Sequence, residues 1–209
     1  VCSGIDDQGF VSSWLVLGTA EQGSFKYDQV QSGRNRLDVK SYVGGLESSL
    51  TPSVGTVTNG KTWSLYKDNC RLTPSCTGGC NSKGVNLACH FYGTGGSRPV
   101  CEASAQVCSN DQAYAASYLV NEGPEREVEI RASSNDAHVV WFNGEQIMSK
   151  YTGHCFSSAI DDSAKVVLQK GVNVVLVKTQ DVQGSWGFSL SLSNAASVFA
   201  TTDPAGNRA

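Results

Sequence analysis

The sequence predicts an all-β fold, an antiparallel sandwich carrying one disulfide-stapled loop insertion. Three observations lead there. Apolar and polar residues alternate in several short runs bounded by Gly, Asn or Asp, which is the two-residue period of a half-buried strand. No long segment repeats apolar residues at the three-and-four spacing of an amphipathic helix. Six of the eight cysteines crowd into residues 70–108, among Gly-rich and polar residues that suit a stapled loop better than regular structure.

Taken in order, "SSWLVLGTA" (Ser12 to Ala20) is a short strand, followed by a polar, mixed stretch that reads as a surface excursion with a short helix. "KTWSLYKD" (Lys61 to Asp68) is a further strand, and residues 70–108 form the insertion. In "VEIRAS", Val128, Ile130 and Ala132 oppose Glu129, Arg131 and Ser133. After a turn at Asn135 and Asp136, "HVVWFNG" reads as the second arm of a hairpin, with Val139 and Trp141 in the core and Asn143-Gly144 as a type I′ turn. "KVVLQKGVNVVLVKT" reads as another hairpin around Lys170-Gly171, and Val172 to Val177, apolar on both faces, suits a central strand. The clearest alternation is "WGFSLSL": Trp186, Phe188, Leu190 and Leu192 share an inner face, while Gly187, Ser189 and Ser191 face water. Periodicity then fades, so a single domain is expected over residues 1–193 with a linker or tail over 194–209.

Composition excludes some partners. The formal net charge is −3 without a run of five like charges, so neither a nucleic-acid footprint nor a polybasic membrane patch is present. Apolar runs are too short for a transmembrane helix, and "VCSGIDDQGF" does not read as a signal peptide but as the start of a mature piece. The even cysteine count suits an oxidising, extracellular setting, and the absence of an Asn-x-Ser/Thr sequon leans towards a bacterial source. Cys70, Cys76, Cys80, Cys89, Cys101 and Cys108 can pair in many ways that spacing does not decide. The simplest arrangement keeps three bridges inside the insertion and joins Cys2 to Cys155.

The motifs "SSWLVLG", "REVEIRASSNDAHVVWFNGEQI" and "VVLQKGVNVVLVKTQDVQGSWGFSLSL", in that order, resemble the jelly-roll β-sandwiches of the galactose-binding-domain-like superfamily. These are accessory modules on secreted glycan-active enzymes. The middle motif also resembles the lectin-like domain of the protective-antigen type, where an acid-rich turn before the strand binds calcium and, through it, sugar hydroxyls. The corresponding pair here is Asn135-Asp136, which departs from two aspartates. The likeness is specific from Glu125 onward, and the cysteine-rich insertion has no counterpart in it.

The resemblance implies polysaccharide or oligosaccharide as partner, besides neighbouring domains of the same chain, and calcium as the ion to test. Calcium takes about six to eight oxygen ligands. Asn135 and Asp136 would therefore need company from loops such as those of Asp161, Asp162 and Asp181; otherwise the pair only makes an Asx-type turn. Sugar rings stack on aromatic faces, and loop aromatics are the better platforms. His90, Tyr92, Tyr151 and Trp186 are the residues selected for glycan contact, although Trp14, Trp63, Trp141 and Trp186 all lie in strand-like runs that suit a core. Zinc is disfavoured, since no Cys-x-x-Cys pair is present. His90, His138 and His154 sit in no hydrolase motif. Three functions follow in order: a secreted, non-catalytic carbohydrate-binding module; a structural or protein-interaction domain; an enzyme whose site no motif announces.

Overall fold

The computed structural model describes residues 4–26, 43–66, 84–92, 107–135, 137–151, 162–181 and 186–208. In chain order the strands are β1 (Leu15–Lys26), β2 (Val57–Thr58), β3 (Lys61–Thr62), β4 (Ser64–Leu65), β5 (Val85–Asn86), β6 (Val107–Asn121), β7 (Arg126–Asn135), β8 (Ala137–Phe142), β9 (Glu145–Tyr151), β10 (Asp162–Leu168), β11 (Gly171–Asp181), β12 (Gly187–Leu192) and β13 (Val198–Thr201). Among the described residues a 3-10 turn covers Glu47–Ser49, and a short helix, α1, covers Leu87–Tyr92.

Two antiparallel sheets stack face to face. The larger runs β4-β1-β6-β11-β8-β9, with β13 also paired to β6; the smaller runs β10-β7-β12-β5. Between them lies the main core. Val16, Ala113, Ala115, Val140, Phe142, Val175 and Val177 come from the larger sheet, and Val128, Ile130, Phe188, Leu190 and Leu192 from the smaller. In every case these are one parity of their strand, as the pleat requires. The other face of the larger sheet is also buried, because residues 43–66 fold over it. Leu15, Leu17, Tyr114, Ala116, Tyr118 and Leu176 enclose Trp63 and Val43 there in a second cluster.

Several expectations hold. β11 lies between β6 and β8, so the apolar run from Val172 is central. Trp14, Trp63 and Trp186 are core residues. Asn143 and Gly144 have φ of 48° and 85° and join β8 to β9, the left-handed pair of a type I′ turn.

Others are corrected. Residues 126–142 are not a hairpin: β7 pairs with β10 and β12, whereas β8 pairs with β9 and β11. Only position 136 separates the strands, so the chain turns a corner from one sheet into the other. The same holds around Lys170-Gly171, where β10 belongs to the smaller sheet and β11 to the larger. Alternation identifies a strand and its faces but not its partner. Ser189 and Ser191 are buried rather than wet, and the N-terminal segment bonds alongside β12, with Val11 N–H donating to Leu190 O at 2.9 Å.

The expected tail is part of the fold. Val198, Phe199, Ala200 and Thr201 are buried in β13 against β6. Arg126 donates to the carbonyls of Asn194 and Ala196, and Arg208 pairs with Glu122 at 2.8 Å while lying 4.0 Å above the Phe199 ring. A four-residue strand flanked by Asn, Asp, Gly and Pro is too short to show a period. Part of the expected insertion is likewise built in: β5 pairs with β12, and Val85, Leu87 and Cys89 join the main core. Cys2, Cys70, Cys76, Cys80, Cys101 and Cys155 lie outside the described residues, and Cys108 is described only through its backbone in β6. The disulfide pairing therefore lies outside them too.

Candidate ligand-binding cleft

The cleft forms where residues 43–66 cross the outer face of the larger sheet. Tyr114 and Tyr118, four apart on β6, point to that face, and their hydroxyls fasten the crossing segment. Tyr114 donates to Glu47 Oε1 at 2.9 Å and Tyr118 donates to Pro52 O. Ser49 N–H donates to Leu46 O at 2.9 Å, which closes the 3-10 turn.

The opposite wall is the β8–β9 turn, and it is held rigidly. Asn143 Oδ1 accepts from Val174 N–H at 2.8 Å, its backbone N–H donates to Val174 O at 2.8 Å, and its Nδ2 donates to Asn173 Oδ1 at 3.0 Å. Gly144 then sits directly on the 3-10 turn: a β-carbon there would stand 2.4 Å from Ser48 O. A glycine is required on two counts, the positive φ and this close approach. Gly144→Ala is expected to destabilise the protein by about 1–3 kcal/mol. Gly171→Ala, at φ 92° but with open space around it, should cost less. Urea midpoints of the two variants measure the difference; equal losses would show that the turn does not bear on Ser48.

Between these walls lies a cavity of about 330 Å³. Its apolar part is Trp141, Leu50, Val174 and Leu176, and its polar part is Ser48, Ser49, Thr51, Asn143, Gln169 and Glu47. Trp141 is half-buried, packing on the second cluster, while Ser48, Ser49, Thr51, Asn143 and Gln169 are exposed. The expectation that Trp141 belongs to the core is thus corrected. It does share parity with Val139, but that face of β8 is the outer one, and residues 43–66 cover it only in part. Position next to an Asn-Gly turn is the available signal, because strand ends border the sheet's rim.

Burial holds the Tyr118 hydroxyl well above the ordinary tyrosine range, and the negative charge of Asp203 adds to the shift. A raised acid pKa means that the folded state keeps its proton where the unfolded chain has lost it. The stabilisation is complete below the unfolded value of about 10 and falls as pH rises beyond it. Stability is expected to decline above about pH 10, and Tyr118→Phe should flatten that decline. Unfolding curves from pH 8 to 12 decide this; an unchanged slope in the variant would overturn it.

Of the residues selected from sequence, Trp186, His90 and Asn135 do not line this cleft. Trp186 is fully buried, its indole N–H donating to Thr179 Oγ1 at 2.9 Å, so no ring face is open to a sugar. His90 is buried in α1, stacked on Tyr66 with centroids 5.6 Å apart and edge-on to Phe91 at 4.8 Å; Phe91 in turn stacks on Trp186 at 5.7 Å. The side chains of Tyr92 and Tyr151 lie outside the described residues, as does Asp136.

Asn135 ends β7 with its side chain buried. Beside it, Ser134 Oγ and His138 Nδ1 are 2.8 Å apart, and His138 Nε2 faces Asp162 Oδ2 at 3.9 Å. These residue types are those of a hydrolytic triad, and Ser134 and His138 are wholly buried. For calcium, the described surroundings of Asn135 offer one carboxylate, that of Asp162, facing an imidazole. Asp136, Asp161 and the side chain of Asp181, the other oxygen donors expected for calcium, lie outside the described residues.

No protein-family model matches the sequence, and no curated protein does. Among solved structures, the chain is similar to the PA14 domain of the MpAFP antifreeze protein, at 11% identity over 94% of this chain and 93% of that one, with a TM-score of 0.40. It is similar to a PA14 sugar-binding domain from an RTX adhesin, at 15% identity over 44% of this chain and 51% of that one, TM-score 0.34. A third is the Epithelial Adhesin 9 A domain from Candida glabrata in complex with Galβ1-3GlcNAc, at 10% identity over 47% and 55%, TM-score 0.35. The likeness spans about half of the RTX adhesin domain and only 11% of a β-glucosidase from Kluyveromyces marxianus.

Proposed function

We propose that this chain is a secreted, non-catalytic carbohydrate-binding module with jelly-roll connectivity, which holds an attached enzyme close to polysaccharide. The observation that carries the reading is Trp141, an indole half-open to a small cleft edged with hydroxyl and amide groups. Sugars present apolar C–H faces and a rim of hydroxyls, so a ring on Trp141 would find hydrogen-bond partners in Ser49, Thr51, Asn143 and Gln169. Tethered binding raises the local concentration of enzyme on a polymer without any chemistry by the module itself. The even cysteine count supports an oxidising, extracellular setting in which disulfides staple the loop region.

Affinity electrophoresis over a panel of soluble polysaccharides tests this. Retarded migration in at least one is expected; free migration in all of them would overturn the reading.

A second reading, a domain that packs against a neighbour, is favoured by one observation. Leu46, Val54, Val57 and Leu65, all on the 43–66 crossing, are more than half exposed. A partner domain covering them would slow hydrogen exchange there without slowing it at the Trp141 cleft.

A further inference from the structure

We infer that the Trp141 cleft takes the terminal one or two residues of a neutral glycan chain, and does so without a metal ion. This rests on the sugar-binding reading and narrows it to a location and a ligand class.

Charge speaks first. Among the described residues, Glu47 is the one ionisable group lining the cleft, and its Oε1 already accepts from the Tyr114 hydroxyl. No described lysine, arginine or histidine lines it. Lys178, a cation on the same sheet face, is buried with its Nζ 5.9 Å from the Tyr114 ring centroid. Among the described residues, a uronate or sulfated sugar would therefore meet one carboxylate and no accessible cation, and would leave its own solvation uncompensated. Neutral hydroxyls, by contrast, match the Ser, Thr, Asn and Gln rim, each of which both donates and accepts.

Size and closure speak next. The cavity, about 330 Å³, is near the lower bound of ligand pockets, which span about 300–1,000 Å³. Ser48 and Gly144 come together backbone to backbone in its wall, and the cavity volume suits the one or two sugar residues that a chain end presents.

The metal-free character follows from the donor set. Among the described lining residues there is one carboxylate, already hydrogen-bonded to Tyr114, where tight calcium sites gather several carboxylates among their about six to eight oxygens. The cleft is also set apart from the acidic turn. Trp141 and Asn143 belong to the β8–β9 end of their strand, whereas Asn135 precedes its opposite end.

The test uses calorimetric titration of the whole chain with neutral oligosaccharides from a retained polysaccharide, graded in length, and with oligogalacturonate, each with and without EDTA. Affinity is expected to level off at two sugar residues, to be unchanged by EDTA, and to be at least about tenfold weaker for the uronate. Trp141→Ala should weaken the neutral ligand at least about tenfold. Because Trp141 also packs on the sheet, Thr51→Trp provides a second variant: its site is exposed at the cleft's edge, and the larger side chain would occupy the space that a sugar needs. It should abolish neutral binding while leaving the thermal midpoint unchanged. Binding that disappears with EDTA, that persists in Thr51→Trp, or that keeps strengthening with chain length would overturn the inference while leaving sugar binding intact. Failure to bind any glycan would instead overturn the broader reading.

Discussion

Trp63→Ala is expected to destabilise the protein by about 3–5 kcal/mol and to abolish glycan retention at the same time. Trp63 is fully buried, the largest side chain in a small cluster that joins residues 43–66 to the outer sheet face. Its backbone organises the crossing, since its N–H donates to Thr56 O at 2.8 Å and its carbonyl accepts from Gly55 N–H at 2.9 Å. Its indole N–H donates to Thr58 Oγ1 at 2.9 Å. Truncation leaves a void that this cluster is too small to refill, and it removes the apolar anchor that carries Glu47 to Thr51 to the cleft wall. The cost is thus one of packing in a layer separate from the main core. Denaturant unfolding of Trp63→Ala beside Val57→Ala, whose side chain is 63% exposed, measures it. The exposed control should change stability by less than about 0.5 kcal/mol. A loss below about 1 kcal/mol in Trp63→Ala would mean that the crossing segment is anchored in another way.

Asn173→Leu should cost about 3 kcal/mol or more, because each buried polar group left without a partner costs about 1–3 kcal/mol. The Asn173 side chain is wholly buried and saturated: Nδ2 donates to the carbonyls of Gln169, Gly171 and Leu119 at 2.9, 3.1 and 3.3 Å, and Oδ1 accepts from Gln169 N–H at 2.9 Å and Asn143 Nδ2 at 3.0 Å. A leucine of similar size deprives both the 169–171 corner and the Asn143 amide of partners. The first loss acts on stability and the second on the cleft wall. Asn173→Asp keeps the Oδ1 acceptor but buries a charge and sets its second oxygen against those three carbonyls, so at neutral pH it should cost at least as much as leucine. If leucine were tolerated with an unchanged unfolding midpoint, the network would be incidental to the fold.

Much of the architecture is legible in the sequence. "WGFSLSL" alternates over its length, and its inner parity is the one that packs in the core. Asn143-Gly144 marks its turn correctly, since few other pairs accept two consecutive left-handed residues. Trp14 and Trp63, in strand-like runs, are core. The binding residues are not legible in the same way. His90 and Trp186 read as platforms because they are aromatic or polar near a loop, yet both are buried, one in α1 and the other just before β12. Trp141 reads as core because it keeps step with Val139, yet it borders the cleft.

The sequence by itself determined which residues are extended, which of them share a face, where the I′ turn falls and that the surface carries no strong charge. Local sterics and two-residue periodicity are properties of neighbouring residues, so they can be read without the fold. Only the tertiary structure decided that β7 and β8 enter different sheets, that β13 closes on β6, and that residues 43–66 leave Trp141 on the outer face of the larger sheet only half-covered. Those outcomes depend on which distant segment arrives at a strand edge or face. A pleat specifies a face without specifying what will lie against it.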